Sequence, residues 1–288
     1  MEKILEVKNL RKEYSDFILN DISFSLEKGY IMGFIGPNGA GKSTTIKLIM
    51  NLAKRDAGEI KIFGLDNIND EVVIKQKIGF VYDQNYFYGD LTIAEIKRII
   101  APFYVNWNDR IFNKYIKEFE LPADRKIKHL SRGMQMKFSL ALALSHDADL
   151  IILDEPTSGL DPVFRNGILD ILADLIQDEN KGVLFSTHIT GDLDKIADYI
   201  TFINKGEIVF SMAKDDILDN YAIVKGPREL LDDGIKKEFT GMRFNRFGFE
   251  GLISDRNRTK KLFKDRVIVE RATLEDIMLF SVRGNGND

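Results

Sequence analysis

The 288 residues contain no cysteine, which excludes disulfides, thiolate zinc sites and thiol nucleophiles and leaves a reducing compartment as the expectation. Long apolar runs are also missing. The longest are stretches such as LALAL at 140–144, far short of the ~18 residues that a membrane-spanning helix needs. The opening residues, MEKILEVKNLRKEYSD, lack the apolar core and small-residue cleavage site of a signal peptide. A cytoplasmic protein is expected, with any membrane role borrowed from a partner. Nor is there an excess of positive charge. With 41 Lys and Arg against 45 Asp and Glu, the net charge is −4, and no nucleic-acid partner is expected. Internal repeats and low-complexity tracts are absent. What remains is an ordinary globular composition, 30% charged and 44% hydrophobic, in a chain long enough for about two domains.

Residues 4–7, 22–26 and 59–63 alternate as short strands, and YIMGFI at 30–35 is more continuously apolar, as in a strand buried on both faces. Further strands are expected at 78–81, 150–153 and 183–186. From about residue 86 the spacing turns helical, with helices expected over 91–104, 108–120 and 132–146. Another helix is expected from Pro162 to about Asp178, where proline suits the first helical position, and a short one near 192–197. YITFINKGEIVF reads as a hairpin turning at Asn204, Lys205 and Gly206. Thr273 and Asp276 are spaced to cap a last helix, LEDIMLFSVR. Strands alternating with helices across 30–210 predict an α/β core with a largely parallel sheet. Beyond Lys214 the pattern becomes irregular, and a small α+β appendage is expected.

Gly36, Pro37, Asn38, Gly39, Ala40, Gly41, Lys42 and Ser43 fit the phosphate-loop pattern G-x-x-x-x-G-K-[ST], followed by Thr44 and a helix. Glycines let backbone N–H groups turn inward around a polyphosphate, and the positive end of the next helix points at the same anion. Lys42 would reach the β- and γ-phosphates of a nucleoside triphosphate, and the Ser43 hydroxyl would ligate Mg²⁺.

The segment ADLIILDEP ends an apolar strand in Asp154 and Glu155, at the carboxyl end where open α/β sheets bind ligands. Asp154 is placed to hold the metal's coordination shell. Glu155 would serve as general base for an attacking water, a role worth roughly 10²–10⁴ in rate. Paired with a phosphate loop, the second carboxylate points to hydrolysis rather than mere binding.

Leu130-to-Gln135 reads LSRGMQ and precedes a helix; SGLD ending in Asp161 follows the acidic pair; FSTH ends the next strand in His188. With these motifs in this order, residues 1–212 resemble the ATP-binding subunit of ABC transporters. The resemblance implies a P-loop NTPase (RecA-like) core with an N-terminal antiparallel β-subdomain and a helical insert. The boundaries expected are 1–213 for the ATP-binding domain, with the helical subdomain at about 86–146, and 214–288 for the C-terminal accessory domain. It also implies that Ser131 and Gly133 meet the γ-phosphate held by a second ATP-binding subunit. Asp161 would couple the two sites across that dimer, and His188 would contact the γ-phosphate and help orient the water and Glu155. Tyr14, 22 residues before Gly36, matches the aromatic that stacks on adenine, in preference to nearby Phe17.

Two segments depart from the family pattern. The family's glutamine, which joins the Mg²⁺ site and senses the membrane partner, is replaced in IGFVYD by Asp83, with Gln84 one place late. A carboxylate also ligates Mg²⁺, so the metal set is expected to be Ser43, Asp154 and either Asp83 or Gln84. The signature reads LSRGM in place of LSGGQ, a variant similar to the bacterial exporter branch whose permeases are separate chains.

Residues 80–119 hold eleven of the thirty aromatics. They read either as the core of the helical insert or, in part, as the groove where a permease helix docks. Beyond Lys214 fourteen basic and fourteen acidic residues balance, yet 241–271 carries nine bases against four acids, most simply a solvated basic face.

The function expected is an ATPase subunit that drives a separate membrane permease, as a homodimer or heterodimer, peripheral to the inner face of the membrane. The alternative is an ABC ATPase that transmits force to a membrane or soluble partner without transport. A module that holds ATP without splitting it is disfavoured by the presence of both Glu155 and His188.

Overall fold

A computed structural model describes residues 2–83, 86–264 and 266–283. Three sheets organise the described residues. The first has the order β2-β1-β4-β5, from β1 (Lys3–Glu13), β2 (Ile18–Glu27), β4 (Ala57–Ile62) and β5 (Leu65–Asp66). Its pairings are antiparallel. β1 and β2 run well beyond the 4–7 and 22–26 read from alternation. Register shifts along their pairing break the period-2 pattern that marks a strand in sequence.

The second sheet carries the site. Its order is β10-β9-β3-β8-β7-β6, from β3 (Ile31–Ile35), β6 (Ile78–Val81), β7 (Leu150–Asp154), β8 (Gly182–Thr187), β9 (Tyr199–Asn204) and β10 (Glu207–Ala213). All neighbours are parallel except β9 and β10. That last pair is the expected hairpin, and Lys205 and Gly206 both adopt positive φ in its turn, 48° and 79°. Every residue of β3, β7 and β8 is buried, because helices or the first sheet cover both faces. Phe34, Ile46, Ile60 and Leu184 pack on the side of the first sheet, and Phe138, Leu153, Phe185 and Phe202 on the other.

The helices are α1 (Lys42–Ile49), α2 (Glu71–Lys75), α3 (Ile93–Ile100), α4 (Asp109–Glu118), α5 (Arg132–Ala143), α6 (Pro162–Leu175) and α7 (Thr190–Ile196). Thr92 and Glu95 start α3 with a reciprocal capping box. The helix expected over 91–104 stops at Ile100, where Pro102 forces a short 3₁₀ turn.

Beyond Lys214 the mixed pattern of short strands and helices forms the α+β appendage expected. After α8 (Lys214–Asn220), the strands β11 (Ala222–Gly226), β12 (Phe239–Asn245), β13 (Gly248–Ile253) and β14 (Ile268–Arg271) form a sheet of order β12-β13-β11-β14. All its pairings are antiparallel. With α9 (Asp233–Lys236) between β11 and β12 and α10 (Arg256–Phe263) between β13 and β14, this is a split β-α-β arrangement. Val224, Phe239, Phe249 and Phe263 fill one face. On the other, Ile223 and Leu252 join Ile277 and Phe280 of α11 (Leu274–Arg283) in the core shared with the parallel sheet. Thr273 and Asp276 cap α11 as their spacing predicts. Among the described residues no helix is long and apolar enough to cross a membrane.

Candidate functional site

Strand register assembles the site. Ile35 pairs with Thr187, and Asp154 with Ser186, so β3, β8 and β7 end at one level and bring Gly36, His188 and Glu155 together. The loop after β3 wraps tightly: a Cβ on Gly36 would lie 2.2 Å from the Ile203 carbonyl oxygen. Gly41 has φ 113° and sits against Leu19 and Phe17, and so must lack a side chain. No acidic residue occupies the first turn of α1, which leaves its positive end uncompensated.

Lys42 is 5% exposed. Its Nζ donates to the carbonyls of Gly36 (2.7 Å) and Pro37 (3.3 Å) and lies 3.3 Å from Glu155 Oε1. Glu155 has φ 50°, a left-handed conformation uncommon for such a residue, fixed by its own N–H donating to the Ser186 carbonyl at 3.0 Å. Its Oε2 lies 2.7 Å from His188 Nδ1. A carboxylate only accepts, so Nδ1 carries the proton. The carboxylate is thus held at both oxygens, by a cation and by an imidazole.

Asp154 is wholly buried. Oδ1 accepts from the Ser186 hydroxyl at 2.6 Å, and Oδ2 has no hydrogen-bond partner among the described residues. Burial pushes its carboxyl above the ordinary range, against the Ser186 and Ser43 hydroxyls, and the neighbouring Glu155 and Asp83 carboxylates push it further. A buried acceptor beside the Ser43 hydroxyl is the donor set a small hard cation fits. No cluster of three or more His, Cys, Asp or Glu side chains arranged for a metal occurs among the described residues; Asp83 lines the same cleft as Ser43, and beyond these groups ligands would have to come from phosphate or water.

These groups line a cleft of about 940 Å³ that includes Tyr14, Lys42, Ser43, Asp83, Glu155 and His188. Asn38, Gly39 and Thr44 lie along it too, while Ala40 is buried beneath. Tyr14 and Phe17 both reach it. Tyr14 is 42% exposed with Lys12 Nζ 5.4 Å from its ring centroid; Phe17 packs against Gly41. Ser131, Gly133 and Asp161 are not among the cleft's lining residues. Each instead stands at a helix start: Ser131 caps α5 through Met134 N–H, Gly133 lies in that first turn, and Asp161 caps α6 through Val163 and Phe164 N–H. Gln84 lies outside the described residues.

Sequence reasoning missed three participants. Ser186, which partners Asp154, was visible only as a polar residue ending an apolar strand. Arg132 donates to Asp83 at 3.0 Å. Asp192, 1% exposed, accepts from Thr157 Oγ1 at 2.8 Å and Arg165 Nε at 2.5 Å. It ties the loop after Glu155 to the helix after His188.

The aromatic segment divides. Phe112 and Phe119 are core residues, whereas Phe80, Tyr82, Phe87 and Tyr104, with Lys47 and Leu52, line a second groove of about 590 Å³.

The family model described as ABC transporter matches residues 19–158. The ABC transporter ATP-binding protein YtrB of Bacillus subtilis (strain 168) is 30% identical over 219 residues, covering 76% of this chain and 75% of that protein. The linearmycin resistance ATP-binding protein LnrL of the same organism is 34% identical over 220 residues, 74% of this chain and 70% of LnrL. Among solved structures, the dimeric post-hydrolysis ATP-binding cassette MJ0796, bound to ADP and Pi, superposes with a TM-score of 0.65. It is 26% identical, over 73% of this chain and 98% of that one.

Proposed function

This chain belongs to the ATP-binding proteins of ABC transporters, and from that premise we propose how its residues bind and split ATP and what it drives. The chain divides into an ATP-binding domain, 1–213, with a helical subdomain at about 86–146, and an accessory domain, 214–288. The observation that carries the reading is Glu155, held between Lys42 and His188 in the lining of the cleft.

The triphosphate lies along residues 36–44, its charge met by Lys42 and the N-terminal N–H groups of α1. The adenine ring stacks on Tyr14, whose exposed face suits it better than the packed Phe17. Ser43 and Asp154 hold Mg²⁺, with Asp83 as the third protein group; the orphaned Oδ2 of Asp154 supports this. When bound, the ion neutralises charge on the β- and γ-phosphate oxygens. Glu155 accepts the proton of the attacking water, and His188 keeps that carboxylate oriented.

Ser131, Gly133 and Asp161 act on the ATP of a second subunit, which fits their position outside their own cleft. A helix start with a hydroxyl and bare backbone is an anion clamp. The dimer therefore closes on nucleotide, and its closure moves a separate membrane permease, most simply an exporter. The aromatic groove beside Leu52 takes the permease's cytoplasmic helix and holds this subunit on the inner face of the membrane. Affinity capture of the tagged chain from detergent-solubilised host membranes tests the transport reading. A stoichiometric polytopic membrane protein is expected; capture of soluble partners alone, with ATPase activity intact, favours force transmission without transport.

A further inference from the structure

Two of the departures from the family pattern, Asp83 in place of glutamine and Arg132 in place of glycine, meet each other in the structure. They are 49 residues apart in sequence, yet Arg132 Nη2 donates to Asp83 Oδ1 at 3.0 Å. One side chain follows β6, the other opens α5 directly after Ser131. Both line the nucleotide cleft. The side chains are 35% and 59% exposed, and ion pairs of that kind add little to stability. Packing does not force the contact either, since both side chains keep substantial exposure.

What the pair does is place charge. Asp83 and Glu155 line the cleft and both carboxylates act on the buried Asp154, and Lys42 is committed to Glu155 and to its own loop. Arg132 is the cation that answers Asp83. Its Nη1 also lies 3.7 Å from where a Cβ of Gly159 would stand, so the guanidinium rests against the loop between Glu155 and Asp161.

We propose that Arg132 and Asp83 form a tether within one subunit that ties the start of α5, Ser131 to Gly133, to that subunit's own nucleotide cleft, and that a divalent cation arriving with nucleotide competes with Arg132 for Asp83. The inference rests on the reading that Asp83 faces the metal. A carboxylate drawn to the cation cannot keep its full interaction with the guanidinium, so metal binding loosens the tether and frees that helix start for the partner subunit. By linkage, the tether in turn weakens metal binding by the same factor.

The test is the affinity for ADP, measured by equilibrium dialysis with and without Mg²⁺, in the parent, Arg132→Ala, Arg132→Lys, Asp83→Asn and the Arg132→Ala/Asp83→Asn double variant. The ratio of the two dissociation constants is the gain due to metal. Arg132→Ala should enlarge that gain about two- to fivefold, the range open to an exposed ion pair. Arg132→Lys should restore the parental value, and in the Asp83→Asn background Arg132→Ala should change nothing. If Arg132→Ala leaves the gain unaltered while Asp83→Asn lowers it, Asp83 keeps its metal role and the tether is overturned. Should Asp83→Asn leave the gain unaltered, the metal role of Asp83 is wrong and the competition falls with it. An equal effect of Arg132→Ala in both backgrounds also overturns the pairing.

Discussion

Glu155 and His188 stand 2.7 Å apart across the ends of two adjacent parallel strands, Oε2 of one against Nδ1 of the other. The contact exists because β7 and β8 pair in a register that levels Asp154 with Ser186. The residue after each strand then enters the cleft. Replacing Glu155 by Gln keeps the shape of the carboxylate and removes the base. Turnover should fall by about 10²-fold or more while ATP affinity stays within about twofold of the parent, since a general base acts in the transition state and not in ground-state binding. Steady-state ATPase assays beside nucleotide titrations check it; undiminished turnover would remove Glu155 from the chemistry.

Lys42→Ala should behave in the opposite way. The ammonium is 5% exposed and held by the carbonyls of Gly36 and Pro37, a position from which it meets phosphate. Its loss removes charge-assisted hydrogen bonds worth roughly 1.5–3 kcal/mol, so nucleotide affinity should drop by at least tenfold. Titration with a fluorescent ATP analogue reads this directly. An unchanged affinity would count against the phosphate-loop assignment.

Asp154 carries a pH signature. Burial, with Glu155 and Asp83 nearby, raises its folded carboxyl pKa above the ordinary value of 3.8. Between that value and the raised one, the folded chain binds more protons than the unfolded chain. Its stability therefore declines as pH rises through the window, as the buried carboxyl becomes charged. Asp154→Asn should accordingly melt higher than the parent at pH 7 without Mg²⁺, by about 2–4 °C for each kcal/mol relieved. The advantage should shrink as pH falls towards the ordinary carboxyl range. Differential scanning calorimetry of both proteins across pH measures it, and a variant that melts lower at pH 7 would contradict the buried-charge account.

The parts of the site legible in the sequence were those built from contiguous residues. Gly36–Ser43 is one loop, Asp154–Glu155 one strand end, and strands buried on both faces announce themselves as apolar runs. The Thr273–Asp276 cap was readable because it is local. The accessory sheet was not. Lys225, Arg243, Glu250 and Glu270 form a ladder of ion pairs across β12, β13, β11 and β14, on the same face as the buried Ile223 and Leu252, so charge cuts short the apolar stripe that marks a strand in sequence. Asp83 with Arg132, and Asp192 with Thr157 and Arg165, bridge segments far apart in the chain. Such contacts exist only once the topology does.

The aromatic groove predicts a partner phenotype separable from catalysis. Leu52 is 57% exposed and lines the groove, while the residues of the nucleotide cleft lie elsewhere except for the shared Lys47. Leu52→Asp places a charge among aromatics that are expected to anchor an apolar helix. Capture of the membrane protein should fall at least tenfold, on the scale of a hot-spot residue, with ATP affinity unchanged. Quantitative mass spectrometry of captured membranes reads the first quantity and nucleotide titration the second. Equal capture by variant and parent would move the docking surface elsewhere.

Ser131 offers the sharpest test of action across a dimer, provided its two jobs are separated. Its hydroxyl accepts from Met134 N–H and caps α5, and the same hydroxyl still has a proton to donate. Ser131→Ala would lose both, at a capping cost of about 0.5–2 kcal/mol, and a weakened dimer could then be blamed on a frayed helix. Asp caps as well as Ser but brings a negative charge and no donor. In the Glu155→Gln background, where ATP persists, the parent signature should give an ATP-dependent doubling of mass by light scattering. Ser131→Asp should melt within a few degrees of that protein, bind ATP in its own cleft, and remain a monomer. A Ser131→Asp chain that still dimerises on ATP would show that the start of α5 does not face the partner's phosphate.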